Sequence, residues 1–199
     1  MQTTSQLEEW KGEFGKDYIA RNQITEDKLK PGTTAFGRML NKATGIDSIF
    51  EVGANIGLNQ YYLNNLFKGS VSLNAIEPNE QAYAELVNGE HFKLDQSWNC
   101  AGFQLPCEDA AFDLAFTSRV LIHIAPEDLL QMTSEIVRVS KKYVLCCEYF
   151  NDGPITINYR GKDGLLFKRD FGKFYLENFP NLKWVDYGFV WREELWPIS

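Results

Sequence analysis

From residue 48 to residue 150, short apolar runs alternate with stretches in which apolar residues recur every three to four positions. The first pattern predicts strands and the second predicts amphipathic helices. Residues 48–52 read as the first strand, and a helix from Gly57 to Lys68 follows, with Leu58, Tyr62, Leu66 and Phe67 on one face and Gly69 as its stop. Val71 to Ile76 is the second strand; it ends in Glu77-Pro78-Asn79, where Asn79 is placed to cap a helix that Gly89 ends. His91 to Leu94 makes a weak third strand, and residues 97–111 show no period. Phe112 to Phe116 is the fourth strand. Pro126, Glu127 and Asp128 open a helix that turns Leu129, Leu130, Thr133, Ile136 and Val137 inward. The dense apolar run from Tyr143 to Phe150 reads as a buried strand. Strands alternating with helices predict an α/β fold: a doubly wound, Rossmann-like, mostly parallel sheet with helices on both faces.

The flanks follow other patterns. Within residues 5–22, Leu7, Trp10, Phe14 and Tyr18 form a helical stripe that Gly12 and Gly15 weaken. The stripe suits a helix packed on the domain or a lid over a ligand mouth. Pro31-Gly32 is expected to break the chain, and residues 33–43 to form a helix with Phe36, Met39 and Leu40 inward. Beyond Pro154, Ile155, Ile157 and Tyr159 alternate, and the stretch from Arg160 to Gly164 turns. A helix is expected from Asp170 to Asn178, and a last strand or hairpin from Leu182 to Trp191, giving the sheet an antiparallel C-terminal edge. No repeat or linker divides the chain. Residues 1–199 are therefore read as one domain: a helical lid over 1–45, a core over 46–150, and a substrate-side insertion with the last strands over 151–199.

Composition narrows the picture. The 199 residues are 44% hydrophobic, enough for a core, and the net charge of −7 speaks against a broad nucleic-acid surface. No apolar run approaches the ~18 residues of a membrane span, and the polar start lacks a signal segment, so the expectation is a soluble cytoplasmic protein. Cys100, Cys107, Cys146 and Cys147 form no C-x-x-C pair and read as reduced thiols; with only His91 and His123 beside them, no metal site is expected.

The chemistry concentrates where strands end. Ile49-Phe50-Glu51-Val52-Gly53-Ala54-Asn55-Ile56-Gly57 runs an apolar strand into an acid and two glycines, then into a helix. Such a junction brings backbone close to a ligand. It fails the dinucleotide fingerprint, because Asn55 and Leu58 stand where glycines belong. Glu51 is placed to take up the ammonium of a bound amino acid, directly or through water. Glu77 is placed to accept hydrogen bonds from a ribose diol. After the fourth strand, Arg119 is a candidate for an acidic substrate group, and His123 for a base, a pocket wall or a packed histidine. Tyr149, Tyr159, Arg160, Lys168 and Arg169 form a basic–aromatic cluster that would suit a carboxylate or phosphate on an otherwise acidic protein.

The acid-x-Gly-x-Asn-x-Gly run, Ile76-Glu77-Pro78-Asn79, and Leu105-Pro106-Cys107-Glu108-Asp109-Ala110-Ala111-Phe112-Asp113 together resemble class I S-adenosylmethionine-dependent methyltransferases. A narrower likeness covers nearly the whole chain through Trp10 to Asn22, Glu148 to Asn151, Tyr159 to Gly161, Leu166 to Phe171 and Val185 to Val190. In these stretches it resembles the pseudaminic acid biosynthesis-associated methylases. The resemblance implies S-adenosylmethionine as cofactor and S-adenosylhomocysteine as product. It implies a small acceptor, a carboxylated or nucleotide-linked sugar of the nonulosonic acid pathway or its amine, transfer to oxygen or nitrogen being left open. The cofactor would be held by Glu51, Gly53, Asn55, Gly57, Glu77, Pro78, Asn99 and Ser118, with Tyr18 and Arg21 from the lid. Relatives carry an acid near the adenine, whereas the interval here is Asn99 to Gln104, which leaves backbone or side chains such as Asn99 and Gln104 for that contact. The acceptor would meet Arg119, Tyr159, Arg160, Lys168 and Arg169, with His123, Glu148 and Tyr149 as the catalytic candidates. A methyltransferase of a non-sugar molecule and a non-catalytic methyltransferase-like binding protein are the alternatives.

Overall fold

The computed structural model describes residues 4–159 and 161–190. Five parallel strands, β1 (Ser48–Val52), β2 (Ser72–Ile76), β3 (Gln96–Trp98), β4 (Phe112–Ser118) and β5 (Ser140–Cys147), form a sheet in the order β3-β2-β1-β4-β5. β1 lies between β2 and β4, with Val52 opposite Ile76 and Glu51 opposite both Ala75 and Phe116. This register brings the chain out of β1, β2 and β4 at one edge of the sheet. The central strands β1, β2 and β4 are buried on both faces, which their continuous apolar runs require.

Seven helices are described: α1 (Ser5–Lys11), α2 (Glu13–Arg21), α3 (Glu26–Met39), α4 (Leu58–Phe67), α5 (Glu80–Asn88), α6 (Leu129–Val139) and α7 (Phe171–Asn178). One core gathers Phe50, Val52, Ile76, Ala115, Leu121, Met132 and Ile136, and Phe50 stacks on Phe112 with ring centroids 4.6 Å apart. The other gathers Phe36, Ile49, Leu58, Tyr62, Leu63 and Phe116. The helix caps anticipated in the sequence are present: Asn79 accepts a hydrogen bond from the Ala82 N–H at 3.0 Å, and Asp170 caps α7.

Several expectations are corrected. Pro31-Gly32 does not break the chain but lies inside α3. An internal proline costs about 3 kcal/mol in a helix; here Gly32 lies against the Tyr62 ring, and Phe36 meets Phe116 edge-on at 5.7 Å, so packing outweighs propensity. The third strand is not 91–94 but Gln96–Trp98, because Phe92 and Leu94 pack sideways with Ala54, Ala75 and Leu86 while Trp98 takes the register position opposite Ile76. β5 ends at Cys147, and Tyr149 and Phe150 are exposed. The antiparallel part is a separate two-stranded sheet of β6 (Ile155–Tyr159) and β7 (Lys162–Lys168). The strand expected from Leu182 is absent over residues 182–190, where Trp184, Tyr187 and Phe189 stand exposed; Trp191 lies outside the described residues. Among the described residues no helix is long and apolar enough to cross a membrane. All four cysteines are free and partly buried.

Candidate functional site

A cleft partly open to solvent lies at the carboxyl edge of the sheet. Its floor is Val52, Gly53 and Asn55 at the end of β1 and Ile76, Glu77 and Pro78 at the end of β2; Ser118, Arg119 and Val120 at the end of β4 form one side. Open parallel sheets place ligands at this edge, where strand order reverses. Here β1 leads to β2 on one side and has β4 on the other. The far wall is the loop Ala101 to Phe103 with Met132, and the roof is the N-terminal segment, with Thr4, Leu7, Trp10 and Tyr18.

Gly53 has φ +80°, and a Cβ there would press into Val120. The residue serves the tight packing of the β1 and β4 loops beneath the cleft. Gly57, at φ +89°, is not on the wall. A Cβ there would overlap the Phe92 ring, so its work is to seat α4 rather than to approach a ligand.

Three carboxylates, Glu51 and Glu77 buried and Glu148 partly so, stand at or beside strand ends, and each is pushed up to about 7, chiefly by desolvation. Glu77 alone of these faces the cleft. Its two oxygens accept from the backbone N–H of Asn55 at 2.7 Å and of Asn79 at 2.8 Å, which ties the two floor loops together and leaves lone pairs for a ligand's hydroxyls. Glu51 is turned away from the cleft. It accepts from the Asn59 amide at 2.7 Å and the Gln60 amide at 2.8 Å, inside the first turn of α4. Its carboxylate thus holds the start of α4 and does not line the cleft. Glu148 is corrected more sharply. Its carboxylate accepts from the backbone N–H groups of Val120, Leu121 and Ile122 at 3.1 to 3.3 Å, so it anchors the single 3₁₀ turn Leu121–His123 and is not on the cleft wall.

That turn presents His123 to the cleft. The ring is buried, its Nδ1 lies 2.6 Å from the Leu165 carbonyl oxygen, and Trp10 and Tyr159 pack on it at 4.5 and 5.6 Å between centroids. An Nδ1–H donating to that carbonyl leaves the lone pair on Nε2. Burial holds the imidazole down to about 4, so it is neutral near pH 7. Arg119, in the left-handed region at φ 58°, lines the cleft with Nε and one Nη buried and without a hydrogen-bond partner.

The remaining candidates fall in different places. Pro78, Ser118 and Tyr18 are on the wall. Arg21 sits 5.6 Å from the Tyr18 ring and is off the wall. Asn99 donates to the Glu77 carbonyl at 2.8 Å, beneath the floor, and is also off the wall. Tyr159 stands behind His123. Lys168 lies 5.3 Å over the Tyr149 ring and shares with Arg169 a separate small hollow beside Pro126 and Pro154. That cationic pair is thus not on the main cleft, and Arg160 lies outside the described residues. Sequence reasoning missed Thr4, Gln6, Leu7, Gly102, Phe103 and Met132 as wall residues. The helical stripe signalled the roof as a body, but nothing marked the loop carrying Phe103.

The roof is fastened at both ends. Asn79, while capping α5, donates its side-chain amide to the Trp10 carbonyl at 2.9 Å. Gln6 donates to the Gly164 carbonyl at 3.2 Å, and Glu9 pairs with Lys162, joining α1 to the β6–β7 hairpin.

Residues 50–146 match the family model described as a methyltransferase domain. No curated protein matches the chain. A Burkholderia thailandensis 1,6-didemethyltoxoflavin-N1-methyltransferase, solved with its substrate and S-adenosylhomocysteine, is similar at TM-score 0.61 and 15% identity, over 89% of this chain and 80% of that one. A Leishmania major S-adenosylmethionine-dependent methyltransferase is similar at TM-score 0.68 and 15% identity, over 88% and 76%. The plantazolicin methyltransferase BpumL, solved with S-adenosylhomocysteine, is similar at TM-score 0.57 and 12% identity, over 73% and 58%. At these identities the likeness is one of fold. Residues 50–146 are thus similar to a methyltransferase domain, on a Rossmann-like sheet whose carboxyl edge forms the cleft.

Proposed function

We propose that the chain transfers the methyl group of S-adenosylmethionine to a small acceptor. The observation that carries this reading is Glu77: a buried carboxylate at the end of β2, facing the cleft and flanked by the Gly53–Asn55 loop. The residues present fit the cofactor. Glu77 offers acceptors to a diol, while Asn55 Nδ2 and the Arg119 guanidinium offer buried donors with no partner. Phe103, Leu7 and Met132 give an apolar wall.

When bound, the cofactor supplies a methyl group on a positively charged sulfur, open to in-line attack by an acceptor lone pair. The chain's part is to orient and to exclude water, the terms that dominate when no covalent help is needed. Trp10, Leu7 and Tyr18 close the roof over the cleft. His123 offers a neutral Nε2, but a base held down to about 4 takes up a proton poorly near pH 7. The site thus suits an acceptor atom that arrives with its lone pair free, a carboxylate oxygen or a neutral amine. For the acceptor we infer a carboxylated or nucleotide-linked sugar, or its amine. Support comes from the resemblance to the pseudaminic acid biosynthesis-associated methylases and from the cationic, aromatic cluster of Lys168, Arg169 and Tyr149, which lies at a separate hollow by Pro126 and Pro154 rather than in the cleft.

Calorimetric titration with S-adenosylmethionine and S-adenosylhomocysteine, on wild type and on Glu77→Ala, tests the cofactor. Micromolar binding lost in the variant supports the reading, and absence of binding by folded wild type ends it. Mass-spectrometric screening of carboxylated and nucleotide-linked sugars for a gain of one methyl group then tests the acceptor. A product formed only from non-sugar acceptors would overturn the sugar assignment alone.

A further inference from the structure

Four non-glycine residues among those described adopt left-handed backbone, and two of them, Asn55 and Arg119, line the cleft. Strained backbone persists where the surroundings over-determine it, and such places cluster at ligand sites. In both residues the side chain also carries buried donors without a partner: Nδ2 of Asn55, and Nε and one Nη of Arg119. A buried guanidinium without a carboxylate is costly to the free protein and needs an anion to offset it. None of the ion pairs among the described residues includes Arg119. Glu148, which binds the backbone just after Arg119, is committed to three N–H groups. The charge of Arg119 is felt by the hydroxyls of Tyr18, in the roof, and of Tyr62, in α4, and by the Cys147 thiol.

We propose that Arg119 is the anion-binding residue of the cofactor cleft and takes the amino-acid carboxylate of S-adenosylmethionine, with the Tyr18 hydroxyl beside it. The placement decides between the cofactor and an anionic acceptor. Glu77 follows β2 and Arg119 follows β4, on either side of β1. Two strand spacings put these positions on the order of 10 Å apart. That is comparable with the reach from the ribose to the carboxylate of one extended S-adenosylmethionine, with Gly53 and Asn55 beneath its middle. The guanidinium fork matches a carboxylate through two parallel hydrogen bonds. This inference rests on the reading of the cleft as a cofactor site and changes the role given to Arg119 by sequence alone, from acceptor to cofactor.

The test is calorimetric and needs no turnover. Wild type, Arg119→Gln and Arg119→Lys are titrated with S-adenosylhomocysteine and with its decarboxylated analogue, which keeps the adenosine, the sulfur and the amine. For wild type, removing the carboxylate should weaken binding on the order of tenfold to a hundredfold. Arg119→Gln should lose the same factor for S-adenosylhomocysteine, bind the analogue as well as wild type or better, and Arg119→Lys should recover part of the loss. Equal weakening of both ligands by Arg119→Gln assigns the residue to structure and overturns the proposal. So does wild type that holds the analogue as tightly as S-adenosylhomocysteine; that comparison stands even if a variant fails to fold. Tight binding of both ligands overturns the role of Arg119 while sparing the cofactor reading; binding of neither ends both.

Discussion

At Glu77 one buried carboxylate meets two backbone N–H groups, and burial outweighs them enough to lift its ionisation to about 7. A ribose donates its hydroxyls to the ionised form, so binding draws the proton off. Affinity for S-adenosylhomocysteine should therefore rise as pH climbs from 6 through 7 and level off above 8, by up to about tenfold per pH unit on the rising limb. Glu77→Gln should bind more weakly with a flat profile; calorimetry across that range checks both. Glu148 has the same raised ionisation but a different task. As the anchor of the 3₁₀ turn, its replacement by glutamine leaves some of the Val120, Leu121 and Ile122 N–H groups unsatisfied. The expected cost is about 1–3 kcal/mol of stability, read as a lower denaturation midpoint. A general base would instead show an intact fold with the rate lost.

At the scale of elements, what periodicity could reach was the sheet. β1, β2 and β4, with the helices that follow β1 and β2, stand within one or two residues of the pattern that predicted them, because their apolar runs are buried where they lie; the helix after β4 starts at Leu129, past the expected opening at Pro126. Pattern failed where tertiary contacts overrode it, as at Pro31 within α3 and at Phe92 and Leu94, whose alternation looks like a strand but serves packing. The site divides along the same line. Gly53, Asn55, Glu77, Pro78, Ser118, Arg119 and His123 follow strands, so their place on the cleft could be inferred from strand ends. Phe103 and Gln6 reach it from a loop and a roof helix with no spacing to betray them. Gly57 belongs to the element scale as well. Gly57→Ala would force a Cβ into Phe92 and Leu86 at a positive φ, at an expected cost of about 2–4 kcal/mol. Thermal unfolding checks this, and S-adenosylhomocysteine should still bind to whatever fraction folds.

Across the whole molecule, two additions close on one edge of the sheet. The N-terminal helices lie over the cleft and the β6–β7 hairpin stands behind His123, and the pairs Gln6–Gly164 and Glu9–Lys162 join them. Leu7 of the roof and Leu166 of the hairpin share the same hydrophobic cluster as Phe50 of the sheet. The roof is thus built into the fold on one side, yet its contact with the cleft runs through few groups, Trp10 chief among them. That position also makes the protein its own optical gauge. Of the five tryptophans, Trp10 is the one, among the described residues, that lines the cleft, with its indole against the His123 ring. Filling the cleft changes what surrounds that indole, so emission excited at the tryptophan band should shift as ligand is added. Trp10→Phe should silence the signal while leaving the ring packing on His123 largely in place.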